Sequence, residues 1–241
     1  MKSLFKEKQS SPNRLLLAGL GAGAGLLVGG LVRSRMHRRV SFLDRVVVIT
    51  GGSRGLGLEM ARRLANEGAR LALLARNAPE LELARQELVS RAEIVVIPCD
   101  VGVRAEVEGA IEQVLRRYGR IDVLINNAGI IQIGPVEHMR VEDFENAMDV
   151  HFWGPLYAMM AVLPVMKRQG GGRIVNISSI GGEVAVPHMA PYAASKFALV
   201  GLSDAYRAEL AKDGIMVTTV SPGLMRTGSY YHANFKGQNQ K

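Results

Sequence analysis

The sequence predicts an α/β fold, a doubly wound parallel sheet covered by helices on both faces. Three observations point there. From Ser41 onward, short runs rich in Val, Ile and Leu alternate with longer stretches whose apolar residues recur at three- and four-residue spacing, the βαβα order of a parallel sheet. The first apolar run ends in a glycine-rich turn that opens a helical pattern, "VITGGSRGLGLEMARRL" from Val48 to Leu64. No internal repeat or low-complexity linker interrupts the alternation, so the 241 residues hold one globular body of ordinary size.

Taken in order, the strands read Arg45–Thr50, Arg70–Ala75, Glu93–Pro98, Asp122–Asn126, Arg173–Ser178 and Met216–Ser221. Their near-continuous apolar character fits strands buried on both faces. The helical stretches between them read Leu56–Glu67, Pro79–Ser90, Arg104–Tyr118, Val141–Met166 and Tyr192–Lys212.

Residues 1–40 form a separate basic arm, and residues 41–241 the body. The formal net charge of +8 divides unevenly: the arm carries eight Lys and Arg against Glu7 alone, which is +7, and leaves +1 for the body. A nearly neutral body excludes a broad nucleic-acid face and directs attention to what the arm touches. The single cysteine, Cys99, excludes an intrachain disulfide and a cysteine metal cluster, so no metal is expected and a reducing compartment is. Within the arm, Leu15–Val32 runs 18 residues without a charge, about 27 Å as a helix, enough to cross a bilayer core. Its Gly21, Gly25 and Gly29 would let a second helix approach closely in lipid. The expectation is a membrane anchor. A cleaved targeting peptide and a flexible glycine-rich leader are the alternatives. The cluster "RSRMHRR" after the run favours a cytoplasmic body; the alternative is a wholly cytoplasmic chain.

A β-rich run, then Gly51, Gly55 and Gly57, then a helix start is the geometry in which backbone N–H groups and the helix dipole receive a pyrophosphate. A dinucleotide is the expected ligand, although such a turn can also be purely structural. Farther along, Tyr192 and Lys196 stand four apart in a helical pattern and share a face. An ammonium beside a phenol favours the phenolate, and an oxidised nicotinamide would add positive charge, so a tyrosine pKa near 10 is expected to fall and permit proton exchange near neutrality. Two neighbours on a helix surface would be the bland reading.

The stretch "TGGSRGLG" resembles the TGxxxGxG motif of the short-chain dehydrogenase/reductase family. Its other landmarks follow in order: "CDV" with Asp100, "NNAG" from Asn126 to Gly129, "NISS" ending in Ser179, "YAASK" from Tyr192 to Lys196, and "SPGLMRT" from Ser221 to Thr227. Together they span about 180 residues. The resemblance implies a Rossmann-like fold, a nicotinamide cofactor and an oxidoreductase acting on a carbonyl or secondary alcohol. It implies Tyr192 as acid/base, Lys196 as the group that lowers its pKa and binds the nicotinamide ribose, and Ser179, 13 residues before Tyr192, as the hydrogen-bond partner of the substrate oxygen. Ser178 is the less favoured serine. For the cofactor it implies Gly51, Ser53, Arg54, Gly55, Leu56 and Gly57 at the turn, with Asp100 and Val101 toward the adenine. Asn127, Ala128 and Gly129 would position the cofactor, and Pro222, Gly223 and Thr227 would lie on the carboxamide side. A homo-oligomer is expected on the same basis.

Three features depart from the motif or refine it. Where many members carry an asparagine that completes a water relay to the lysine, "VHFWG" places His151, which could replace it or simply pack on its helix. At the end of the second strand, "LLARN" has Ala75 where an acid would hold the ribose of NAD, followed by Arg76; with Arg54 it offers guanidinium forks that suit the extra phosphate of NADP(H). After Thr227 only "GSYYHANFKGQNQK" remains, polar beyond Phe235, so the sheet is expected to stop at six strands without a seventh and the last residues to be loosely packed. The sequence thus predicts an NADP-dependent oxidoreductase on a small carbonyl or alcohol, with a lipophilic substrate favoured if the arm is an anchor. The competing class is a catalytically weak, membrane-associated dinucleotide-binding scaffold.

Overall fold

The computed structural model describes residues 41–225 and 233–237. The run Leu15–Val32 and Thr227 lie outside them. Six parallel strands form the main sheet: β1 (Val46–Thr50), β2 (Arg70–Ala75), β3 (Ile94–Pro98), β4 (Val123–Asn126), β6 (Gly172–Ile177) and β7 (Ile215–Val220), in the order β3-β2-β1-β4-β6-β7. β1 explains why. All five of its residues are buried, so both pleat faces need cover. Val46 and Val48 point into a core shared with α3 (Arg104–Tyr118) and α5 (Gly154–Arg168) through Val107, Ile111, Met159 and Met166. Val47 and Ile49 point the other way, toward Ala61 and Leu64 of α1 (Gly55–Asn66) and Leu81 and Leu88 of α2 (Ala78–Leu88).

Each strand falls within one residue of its sequence-predicted bounds, because a fully buried apolar run ends where the first polar or glycine residue must meet solvent or ligand. The helix expected over Val141–Met166 divides instead. It runs as α4 (Val141–Met148), one π-helical turn (Asp149–Trp153) and α5. An extra residue per turn breaks the helical hydrogen-bond ladder and re-aims the side chains it carries, and His151 is one of them. The last long helix, α6 (Ala190–Leu210), begins two residues earlier than its periodic face suggests, on the preset φ of Pro191.

Beneath the carboxyl edge, a polar run crosses the apolar interior. Asn126 on β4 and Asn176 on β6 are register partners. Asn126 Nδ2 donates to Asn176 Oδ1 at 2.8 Å, Asn176 Nδ2 donates to Ser203 Oγ at 2.8 Å, and Ser203 Oγ donates to the carbonyl of Leu199 at 2.6 Å. β4, β6 and α6 are thereby joined where every member is buried.

A second, two-stranded sheet pairs β5 (Gln132–Ile133) with β8 (Asn234–Phe235). Here Asn234 and Lys236 each donate a backbone N–H into the segment after β4, and Lys236 Nζ reaches Asp143 Oδ1 at 2.9 Å; the loose packing expected of the last residues falls on 238–241, which lie outside the described residues. Two-residue pairing leaves no periodicity to detect, so the sequence could not signal it. Among the described residues no helix is long and apolar enough to cross a membrane.

Candidate active site

The strand order reverses between β1 and β4, and ligands of open α/β sheets settle outside the carboxyl ends at such a point. Here that edge carries a cleft of about 640 Å³. Its first wall is the turn after β1. Gly51 and Gly55 have φ of +65° and +56°, a region that favours glycine. Gly57 lies behind the turn, where an added Cβ would sit 2.1 Å from the Gly51 carbonyl oxygen; its absence lets α1 start against the turn. No side chain caps the N-terminus of α1 and no acid stands in its first turn, so its free N–H groups and positive dipole end suit a pyrophosphate.

Asn127 holds this wall to the next. Its Nδ2 donates to the carbonyls of Thr50 and Gly51 at 3.0 and 3.1 Å, and Thr50 Oγ1 accepts the N–H groups of Asn127 and Ala128 at 2.9 and 3.1 Å. Gly51, Ser53, Arg54, Gly55, Leu56, Arg76, Asp100, Val101, Asn127, Ala128 and Gly129 all line the cleft, together with Tyr192, Lys196 and His151. The sequence reading therefore brings together one surface. Cys99 lines it too, but burial, reinforced by Glu106 and Asp100, pushes its thiol up to about 12, so it serves as an apolar wall.

At the opposite end stand the residues that can do chemistry. Ser179 stands two residues beyond the end of β6; its hydroxyl accepts Gly181 N–H at 3.1 Å and lies beside the Tyr192 ring. Ser178 is buried and turned inward, its hydroxyl on the Lys196 carbonyl at 3.3 Å. Lys196 Nζ donates to the carbonyl of Ile177 at 2.8 Å and lies 5.8 Å from the Tyr192 ring centroid. Pro222 accepts Ile180 N–H at 3.0 Å, tying the exit of β7 to the serine segment, and among the described residues nothing lies within 4 Å of a Cβ placed at Gly223.

The electrostatics correct one expectation. Burial raises the Tyr192 phenol above its usual 10, and the Ser179 hydroxyl offsets this only in part. Lys196 does not bring it down, because the ammonium lies over the ring face rather than at the hydroxyl. Burial also lowers Lys196 itself to about 7, so it carries only part of a charge at neutrality.

His151 is buried and held at both ring nitrogens. Ile130 N–H donates to Nε2 at 3.1 Å, which leaves the proton on Nδ1, donated to Ser195 Oγ at 2.8 Å; Ser195 in turn donates to the Tyr192 carbonyl at 2.9 Å. Burial, and secondarily the nearby Lys196, holds its pKa well below the usual 6.5. A neutral imidazole with both nitrogens engaged orients its neighbours. It has no free nitrogen with which to carry a relay water.

The sequence reading missed four residues of the site, three on the cleft wall and Ser195 buried behind it. Ser195 was hidden between two more conspicuous residues. Ile130 and Ile131 lay in an unpatterned loop. Glu80 carried a legible signal: Asn77 followed three residues later by Glu is a helix-start signature, and Asn77 Oδ1 does accept Glu80 N–H at 3.1 Å. That cap sets the Glu80 carboxylate on the cleft wall, where it accepts from Ser53 Oγ and Arg54 Nη1, each at 3.1 Å. The two arginines expected to select the phosphate of NADP(H) thus both face carboxylates, for Arg76 stands 3.7 Å from Asp100.

Comparison with known proteins matches this geometry. The family model for short chain dehydrogenase covers residues 45–235. The chain is 37% identical over 229 residues to dehydrogenase/reductase SDR family member 7B of Danio rerio, covering 89% of this chain and 74% of that one. Among solved structures, levodione reductase is similar with a TM-score of 0.75 at 36% identity, over 77% of this chain and 74% of that one. NAD+-bound xylitol dehydrogenase follows with 0.77 at 35% identity, over 80% and 75%. With a glycine turn, a Ser179–Tyr192–Lys196 group and a family match along most of its length, the chain belongs to the short-chain dehydrogenase/reductase family, oxidoreductases acting on CH–OH groups with a nicotinamide cofactor.

Proposed function

We propose that this chain is an NADP(H)-preferring oxidoreductase that interconverts a lipophilic carbonyl compound and its secondary alcohol. The observation that carries the reading is the grouping of Ser179, Tyr192 and Lys196, with Tyr192 and Lys196 on the wall at one end of a cleft whose other end is the glycine turn and Ser179 beside the phenol ring across Gly181. The nicotinamide, when bound, supplies or accepts the hydride. Ser179 orients the substrate oxygen, and Tyr192 exchanges the proton with it. Lys196, poised to titrate near neutrality, holds the ribose. Replacement of Tyr192 by Phe is the test. Turnover of a carbonyl panel with NADPH should fall about 10²-fold or more, the usual scale of a lost general acid, with NADPH affinity retained. Unchanged turnover would refute the assignment.

The NADP(H) preference rests on Ala75 in the place of an acid and on Arg54 and Arg76 at that end of the cleft. Fluorescence titration should give tighter NADPH than NADH binding, and Arg76→Asp should remove the difference. The lipophilic substrate rests on Ile130, Ile131, Val150, Ile177 and Met225 along the cleft wall and on the uncharged run Leu15–Val32. That run would anchor a cytoplasmic body that assembles as a homo-oligomer. Resistance of the full chain to carbonate extraction, and light scattering of the detergent-solubilised protein, test these two points.

A further inference from the structure

We propose that Glu80 is a specificity-determining residue: its carboxylate occupies the donor group that a 2′-phosphate would use, so the chain's own side chain competes with NADP(H) and limits its advantage over NAD(H). This deepens the cofactor reading above and rests on it. Three donors converge on the one carboxylate. Ser53 Oγ reaches Oε2 at 3.1 Å, while Arg54 Nη1 at 3.1 Å and Asn77 Nδ2 at 3.2 Å reach Oε1. A hydroxyl, a guanidinium and an amide around one anion are the donors a phosphate monoester recruits. All three residues line the cleft just beyond Ala75, where β2 ends.

The charge count at this corner supports competition rather than simple attraction. Arg54 faces Glu80 and Arg76 faces Asp100, two cations against two carboxylates, so an arriving phosphate meets no net positive charge. The occupant can be displaced. Glu80 is part exposed, and α2 keeps its cap when the carboxylate swings away, because the cap uses the backbone N–H of Glu80 and the side chain of Asn77. Rotation of Glu80 therefore frees the donors, and the incoming phosphate takes over the hydroxyl of the buried Ser53 that Glu80 releases.

The test is fluorescence titration of NADPH and NADH into the full-length wild-type protein, Glu80→Gln, Arg54→Gln and the double variant. Gln keeps the size and one acceptor of Glu but removes its charge. NADPH affinity should rise about fivefold in Glu80→Gln, about 1 kcal/mol, with NADH affinity unchanged within about twofold. Arg54→Gln should weaken NADPH in both backgrounds. If Arg54→Gln weakens NADPH but Glu80→Gln does not tighten it, the competition is refuted while the cofactor reading stands. If neither substitution changes NADPH affinity, the phosphate does not bind at this corner, and both fail. Weaker NADH binding with unchanged NADPH in Glu80→Gln would assign the carboxylate to the ribose hydroxyls and also overturn the proposal. A cooperative thermal melt like that of the wild type shows that each variant is folded.

Discussion

His151 Nδ1 and Ser195 Oγ stand 2.8 Å apart in the interior, and through them the loop after β4 is joined to the helix that carries Tyr192 and Lys196. Ser195→Ala should leave the imidazole donor buried and unpaired, lowering stability by about 1–3 kcal/mol. NADPH affinity should hold within about twofold, while kcat falls about tenfold, on the scale of a small misplacement of the reacting group. The shape of the kcat–pH profile should not change, because His151 stays neutral in both proteins. Steady-state kinetics and thermal melts check this; a lost inflection in the profile would give His151 a proton-carrying role.

Lys196 makes stability depend on pH in a direction opposite to that of a paired lysine. Its folded pKa lies at about 7 against an ordinary 10.5 because of burial. Between those values the unfolded chain binds a proton that the folded chain has released, so stability rises with pH, by at most about 1.4 kcal/mol per pH unit. Below about pH 7 both states are protonated and the buried ammonium weighs against the fold. Relative to Lys196→Met, the wild type should gain stability from pH 7 to pH 10 in denaturant titrations. Parallel curves would show that the amine is not desolvated.

Gly57 and Gly109 should respond oppositely to alanine. At Gly57 the added Cβ meets Gly51 O at 2.1 Å and Asn127 Nδ2 at 2.7 Å, so the turn must move and dinucleotide binding should be lost. At Gly109, inside α3, nothing lies within 4 Å, and alanine should stabilise by about 0.5–1 kcal/mol. Calorimetry with and without NADPH separates the two effects.

At the opposite edge of β4, Asp122 accepts Arg45 at 2.8 Å, Arg120 at 2.6 Å and the backbone N–H of Val46 at 3.0 Å. Burial alone would raise its pKa, but these partners prevail and hold it below the ordinary 3.8. The resulting stability is present above the unfolded pKa and is lost as pH falls through the folded one. Asp122→Asn should cost about 2–3 kcal/mol at pH 7, and the gap to wild type should close below about pH 4.

What the sequence made legible was whatever has a period or a motif. β1 through β4, β6 and β7 showed as apolar runs, and the glycine turn and the Tyr192–Lys196 pair as fixed spacings. The rest depended on contacts between distant positions. The π turn that aims His151 arises from packing between α4, α5 and α6, and Glu80 enters the cleft only once α2 docks beside α1. The sign of the shift at Tyr192 turned on burial, which four-residue spacing does not report.

The amide run from Asn126 through Asn176 to Ser203 has a consequence for how the two halves of the site are indexed. A slip of one residue between β4 and β6 would place the two amides on opposite faces of the sheet from each other and strand buried donors. The run therefore works as a key in a keyway. It sets the height of Ser179, three residues beyond Asn176, against the Asn127–Gly129 segment that begins one residue beyond Asn126. Positions 126, 176 and 203 form one structural unit, in which a change at any member leaves a buried donor or acceptor of its neighbour without a partner and loosens the level at which the reacting groups meet.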